Sequence, residues 1–134
     1  VLMMMFAKQA SKYFDNAEII ELHHNQKKDA PSGTSIKTAA MMAEVKDDFT
    51  KNNCAETETI EGARGGNSYS NIHIHSVRMP GYIASQEVIF GSSGQIMTIR
   101  HDSMDRKCYM QGVLLAVKHV FKHNDFVYGL DNIM

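Results

Sequence analysis

The chain reads as an α+β domain, with a mixed, largely antiparallel sheet and helices packed on one face. Three observations predict this. Segments near both ends carry apolar residues at helical spacing. Three β-type segments crowd residues 72–101 and are separated by glycine-containing turns. A short apolar run over residues 17–22 lies between two helical segments, so one strand precedes the others by a helical connection.

Leu2, Phe6, Ala10, Tyr13 and Phe14 recur near helical spacing with Lys8, Gln9 and Lys12 between them, which predicts a first helix over residues 2–14. Asp15-Asn16 ends it, and Ala17-Glu18-Ile19-Ile20-Glu21-Leu22 forms a short strand. Pro31 and Gly33 break the chain into a loop. Ile36, Ala39, Ala40 and Ala43 then line one face of a second helix, with Ser32 as its N-cap. Residues 50–71 are polar, contain Gly62, Gly65 and Gly66, and show no sustained period. They read as a long loop, and such loops in compact domains are usually functional or mobile. Residues 72–79 alternate loosely and stop at Pro80-Gly81. Residues 85–90 and 95–101 pair antiparallel about a four-residue connection, Gly91-Ser92-Ser93-Gly94. Met110, Val113, Leu114, Val117 and Phe121 mark a final helix, capped by Ser103 with Asp105 in its first turn. The methionines Met3, Met4, Met5, Met41 and Met42 are read as core packing.

A chain of 134 residues fits one domain that buries its own core. Lysine and arginine number 14 against 15 acidic residues, so no overall basic field draws nucleic acid or a membrane surface. Cys54 and Cys108 stand in no metal-like spacing and suit a reducing, cytoplasmic compartment better than a disulfide framework. The apolar opening, residues 1–7, is too short to span a bilayer and has no basic region before it. Val1 falls in mid-pattern, as if sequence had preceded it. Residues 1–124 are expected to form the body, and 125–134 an apolar tail that docks on something outside it.

Chemistry concentrates in residues 21–34, where two adjacent imidazoles, two ammonium groups and a helix start fall within fourteen positions. His23 and His24 would face opposite ways on a strand, but at its end a turn can aim both. A helix N-terminus carries about half a positive charge and several unpaired N–H donors. Gly33 allows a ligand to approach that backbone, Thr34 adds a hydroxyl donor, and Ala30-Pro31 stiffens the approach. The combination suits a site that holds a small anion and protonates it. Ser32 is a cap and a further candidate contact. Asp29 either orients Lys27 or a histidine, or serves the turn before Ala30-Pro31. Arg64, in the glycine-rich part of the long loop, can reach an anion from there. His73-x-His75 and His119/His123 have metal-capable spacings but no obvious third ligand. They read as surface or interface histidines, and no metal is expected.

Glu21-x-His23-His24-x-x-Lys27-x-Asp29-Ala30-Pro31-Ser32-Gly33-Thr34 resembles the signature of the dihydrodipicolinate reductases, the 4-hydroxy-tetrahydrodipicolinate reductases of diaminopimelate and lysine biosynthesis. Ile74-His75-Ser76-Val77-Arg78-x-Pro80-Gly81, Gln86-Glu87-Val88-Ile89-Phe90-Gly91 and Gly112-Val113-Leu114-Leu115-Ala116-Val117 extend the resemblance over nearly the whole chain. It implies that His23 is the acid/base histidine and Lys27 the proton-donating residue. It implies also that His24, Gly33 and Thr34 hold the substrate dicarboxylate. In that reaction NADPH or NADH delivers hydride to a conjugated imine, and the resulting enamine is protonated. No Gly-x-Gly-x-x-Gly follows a strand here, so the nucleotide-binding domain that precedes this region in the family is missing. The resemblance therefore implies a C-terminal substrate-binding and homotetramer-forming domain, inactive alone, whose tail would pack on the nucleotide domain. Two other readings stand beside it: a self-associating module without catalysis, and a histidine-based metal-binding domain.

Overall fold

The computed structural model describes residues 1–49 and 54–134. The order is α1 (Leu2–Ser11), β1 (Asn16–His23), α2 (Gly33–Ala43), β2 (Gly66–Asn67), β3 (His73–Arg78), β4 (Ala84–Ser92), β5 (Gln95–Ser103) and α3 (Met110–Val120). Short 3₁₀ turns cover Tyr69–Asn71, Arg106–Tyr109 and Leu130–Asn132. The strands form one sheet in the order β2-β3-β1-β4-β5. Among the described residues only β1 and β3 run parallel, joined by the α2 crossover, and the other pairings are antiparallel. This is the mixed α+β sheet that the sequence predicts.

Alternation sets the inner face of the sheet. Ala17 and Ile19 of β1, Ile74 of β3, and Val88 and Phe90 of β4 are buried with Ala7, Ala39, Met42, Phe49 and Ile72 in one cluster. Phe14 leans on Phe90 with ring centroids 5.4 Å apart, beyond the end of α1. Burying an aromatic or aliphatic side chain of this size contributes about 1.5–3 kcal/mol, so this cluster rather than helix propensity holds α1 and α2 on the sheet. Of the methionines expected in the core, Met4, Met41 and Met42 are buried, while Met3 and Met5 are half-buried.

The helix faces differ from those the spacing predicts. The first helix stops at Ser11 rather than residue 14, and it buries Met4, Ala7 and Ser11 while Leu2, Phe6 and Tyr13 are exposed. Residues 2–7 are apolar without interruption, so no period singles out a face. Tertiary contact selects the small residues, and Ser11 Oγ satisfies itself inside by donating to Ala7 O at 2.8 Å. Likewise α2 buries Ser35, Thr38, Ala39 and Met42, whereas Ile36 is exposed. Thr38 Oγ1 donates to Thr34 O and accepts from Gln86 Nε2, both at 2.8 Å, which ties the helix to β4.

Three boundaries also move. The long loop contains an edge strand, β2, which is too short to show alternation; residues 50–53 of that loop lie outside the described residues. The β4–β5 connection has two residues, Ser93 and Gly94, because Ser92 and Gln95 pair; Gly94 has φ +78°. Ser103 ends β5 as a buried residue; Asp105 caps the 3₁₀ turn Arg106–Tyr109, accepting from Lys107 N at 2.8 Å, and α3 itself starts after Tyr109 with no side-chain cap. Helix α3 follows with no buried residue, and its stripe of Met110, Val113, Leu114, Val117 and Phe121 is exposed. The tail folds back locally: Asp131 pairs with Lys37 at 3.1 Å while Phe126, Tyr128 and Met134 stay exposed.

Candidate functional site

The C-terminal end of β1 delivers His23 to the inner side of the sheet, where α2 also begins. Ser32 caps α2, its Oγ accepting from Ser35 N at 3.3 Å. Ser35 Oγ lies 2.5 Å from the same oxygen. Gly33 and Thr34 are exposed, and a Cβ built on Gly33 meets nothing within 4 Å. The first turn of α2 therefore has an open approach, as an anion site needs. The Ala30–Pro31 peptide bond before it is cis.

Behind this approach lies an ion pair between a fully buried carboxylate and a half-buried guanidinium. Glu21, 0 % exposed, is gripped by Arg78, with Nη2 at 2.7 Å from Oε1 and Nη1 at 2.9 Å from Oε2. Glu21 Oε2 also meets His23 Nδ1 at 2.5 Å, and Oε1 accepts the Ser32 backbone N–H at 3.2 Å. Arg78 donates further to Asp29 O and Val77 O, each at 2.8 Å. Parallel β1–β3 pairing makes this possible, because it aligns His23 with Arg78 at the same end of the sheet. Burial alone would push the Glu21 carboxyl upward, but hydrogen bonds from Arg78, Ser76 and His23 outweigh it and hold the carboxyl below the usual range.

Lys27 is half-buried and does not line the cleft that His23, Ser32 and Thr34 share; its Nζ is shared between Asp29 Oδ1 at 2.7 Å and Oδ2 at 2.8 Å. That contact, and the Asp29 backbone, hold the exposed Asp29 carboxyl below its ordinary value. Of the two roles open to Asp29 in the sequence, the structure therefore has it holding Lys27. The Lys27 N–H closes a turn on His24 O at 3.1 Å, and His24 is half-buried.

His23, Ser32 and Thr34 line one cleft of about 770 Å³. Its other walls include Gln86 and Ser103 of the sheet, the N-terminal turn of α1 and the flank of α3. Arg64 does not join this group. It lies toward the opposite end of β1, donating to Glu18 Oε1 at 2.7 Å and Glu56 Oε2 at 3.3 Å. The glycines of its loop carry it to the outer face of the sheet, a placement that loop composition does not encode. There it borders a second cavity of about 420 Å³ with Glu18, Cys54 and His73.

The paired histidines are engaged elsewhere. His73 Nδ1 meets Arg64 O and His75 Nε2 meets Glu18 Oε2, each at 2.7 Å. The His119 and His123 rings stack at 4.4 Å, with Asp125 3.7 Å from His119 Nε2. Among the described residues, no group of three or more His, Cys, Asp or Glu side chains could hold a metal ion. No helix among them is long and apolar enough to cross a membrane.

Glu21 and Arg78 were the residues that reading by motif left without a role. One signal was available: an acid at an inward-alternating position between Ile20 and Leu22 demands a buried cation.

Comparison with known proteins gives the family. The family model described as "Dihydrodipicolinate reductase, C-terminus" matches residues 1–134. The 4-hydroxy-tetrahydrodipicolinate reductase of Gloeothece citriformis is 59% identical over 134 residues, which is 100% of this chain and 49% of that protein. The Streptococcus uberis protein of the same name is 52% identical, again over 100% of this chain and 52% of its own length. A solved structure described as dipicolinate-bound dihydrodipicolinate reductase from Paenisporosarcina sp. TG-14 superposes with a TM-score of 0.90 at 53% identity, covering 99% of this chain and 50% of that one. The chain thus spans about half the length of the curated relatives it matches. Motif, topology and whole-length match agree, and the chain belongs to the dihydrodipicolinate reductase family, matching its C-terminal domain.

Proposed function

We propose that this chain is the substrate-binding and proton-donating domain of an NAD(P)H-dependent 4-hydroxy-tetrahydrodipicolinate reductase in the diaminopimelate and lysine pathway. The observation that carries the reading is the shared cleft, onto which His23, the Ser32 cap and Thr34 all open beside the free start of α2. The solved relative described as dipicolinate-bound supports a planar dicarboxylate as the ligand class.

On this reading one carboxylate of the substrate takes the Gly33 and Thr34 N–H groups and the Thr34 hydroxyl, with His24 nearby. Lys27 supplies the opposing charge, and the dicarboxylate competes with Asp29 for its ammonium group. Reduction of a conjugated imine leaves an electron-rich enamine carbon, which His23, in the cleft wall, or Lys27 protonates.

A nicotinamide dinucleotide does not fit the described residues. The β1–α2–β3 unit is a parallel crossover, yet its first connection, residues 24–32, contains no glycine and so lacks the close backbone turn that seats a pyrophosphate. Hydride must come from a part of the reductase outside this chain, and the chain alone is expected not to turn over. Residues 125–134 and the exposed stripe of α3 are the surfaces proposed to meet that part. The free, exposed Cys54 and Cys108 support a reducing, cytoplasmic setting.

Self-association is the second reading, and an uncovered sheet face favours it. Thr98 and Ile96 of β5 are exposed there, beside the ion-paired Glu87, Arg100 and Asp102. Assembly of a homotetramer through this face is compatible with the enzymatic reading, and light scattering with size exclusion tests it; a strict monomer removes it.

Calorimetry with pyridine-2,6-dicarboxylate tests the principal reading. Binding by the chain, abolished in a His24→Ala/Thr34→Val double variant, is the expected result. Absence of binding at millimolar ligand, or equal binding by the double variant, refutes it.

A further inference from the structure

The Glu21 carboxylate touches the proposed proton donor and the proposed anion-binding turn at the same time. Beside the Ser76 hydroxyl, four contacts hold its oxygens: Oε1 meets Arg78 Nη2 and the Ser32 N–H, and Oε2 meets Arg78 Nη1 and His23 Nδ1. Guanidinium and backbone N–H groups only donate, so three of these four contacts require the carboxylate to accept. Its depressed pKa, caused by the same donors against the opposing effect of burial, agrees that it is ionised. An ionised carboxylate has no proton to give. At 2.5 Å, the fourth contact therefore requires the proton to reside on His23 Nδ1.

We infer that Glu21 is a positioning residue: it fixes His23 as the Nδ1–H tautomer, leaves Nε2 as the nitrogen that exchanges protons with the ligand, and clamps that ring to the start of α2. Fixing the tautomer decides which nitrogen can work, and hydrogen-bonding Ser32 N–H ties the imidazole to the turn presenting Gly33 and Thr34. Arg78 neutralises the buried carboxylate and braces it from β3, so the ring is held from two strands and one helix cap. The inference rests on the proposed reductase reading for the identity of the ligand, but the tautomer itself does not.

Long-range ¹H–¹⁵N correlation spectra of the ¹⁵N-histidine-labelled chain test it, with the His23 signals assigned by their loss in His23→Gln. With the ring neutral, a pyrrole-like Nδ1 and a pyridine-like Nε2 are expected, the reverse of the tautomer that solvated histidine prefers. A protonated Nε2 with a bare Nδ1 overturns the inference. In the reductase containing this domain, Glu21→Gln is expected to lower kcat by about 100-fold, the low end for general acid–base catalysis, with KM changed less than about threefold. An unchanged kcat in a folded variant also overturns it. If Glu21→Gln does not fold, the wild-type spectrum decides alone. Failure of pyridine-2,6-dicarboxylate to bind sinks the reductase reading instead and leaves the tautomer result standing.

Discussion

Replacing Arg78 with methionine tests whether the buried pair supports the site. Methionine keeps an apolar stem of similar length and removes every donor, so packing changes little while Glu21 loses both guanidinium contacts. Breaking a buried pair by removing one partner costs about 3–5 kcal/mol. Glu21 keeps the His23 and Ser32 contacts, which places the expected loss near the low end, about 3 kcal/mol. For a domain of this size that corresponds to a fall of roughly 10 °C in Tm. The loss also depends on pH with a definite sign. In the wild type the folded Glu21 carboxyl lies below its ordinary value of 4.5, so its stabilising contribution is full above 4.5 and fades as pH falls through the lower folded value. In Arg78→Met burial prevails and raises the carboxyl, so the folded variant protonates first and recovers stability on acidification. Both effects narrow the gap between the proteins as pH falls. Urea unfolding followed by circular dichroism at pH 7 and pH 4 measures it. A deficit below about 1 kcal/mol at pH 7, or one that fails to shrink at pH 4, refutes the reasoning.

Gly33→Ala separates binding from folding. Gly33 has no positive φ and open space at its Cβ position, so alanine is expected to raise stability by about 0.4–1 kcal/mol while its methyl weakens pyridine-2,6-dicarboxylate binding in calorimetry. Gly65→Ala is expected to destabilise by about 1–3 kcal/mol in thermal melts, because Gly65 has φ +71° and its Cβ would lie 2.6 Å from Ile74 O. In the reductase containing this domain, His23→Gln and Lys27→Ala are each expected to lower turnover far more than they weaken substrate binding. Steady-state kinetics with near-wild-type kcat in either variant would remove that residue from the mechanism.

The sequence by itself determined the main elements and the cluster of residues proposed to face a ligand. Strand alternation carries period two whatever surrounds it, and turns are written in Pro80-Gly81 and Gly94, so β1, β3, β4 and β5 were legible to within a few residues. His23, Lys27, Ser32, Gly33 and Thr34 were legible because they lie within one fourteen-residue stretch, where a strand end, a turn and a helix start fix their proximity locally. Helix faces were not legible. Residues 2–7 are apolar all round, and α2 buries serine and threonine, so contact with the sheet and not hydropathy chose Ala7, Ser11, Ser35 and Thr38. Nor could spacing place Arg64, since a glycine-rich loop leaves its direction to tertiary contacts, and these carried it to Glu18. The Glu21–Arg78 pair spans 57 positions and exists only because β1 and β3 run parallel in register. Local chemistry thus named the groups proposed to face a ligand. Long-range strand pairing alone decided what stands behind them, because a buried charge can persist only where the fold brings its partner.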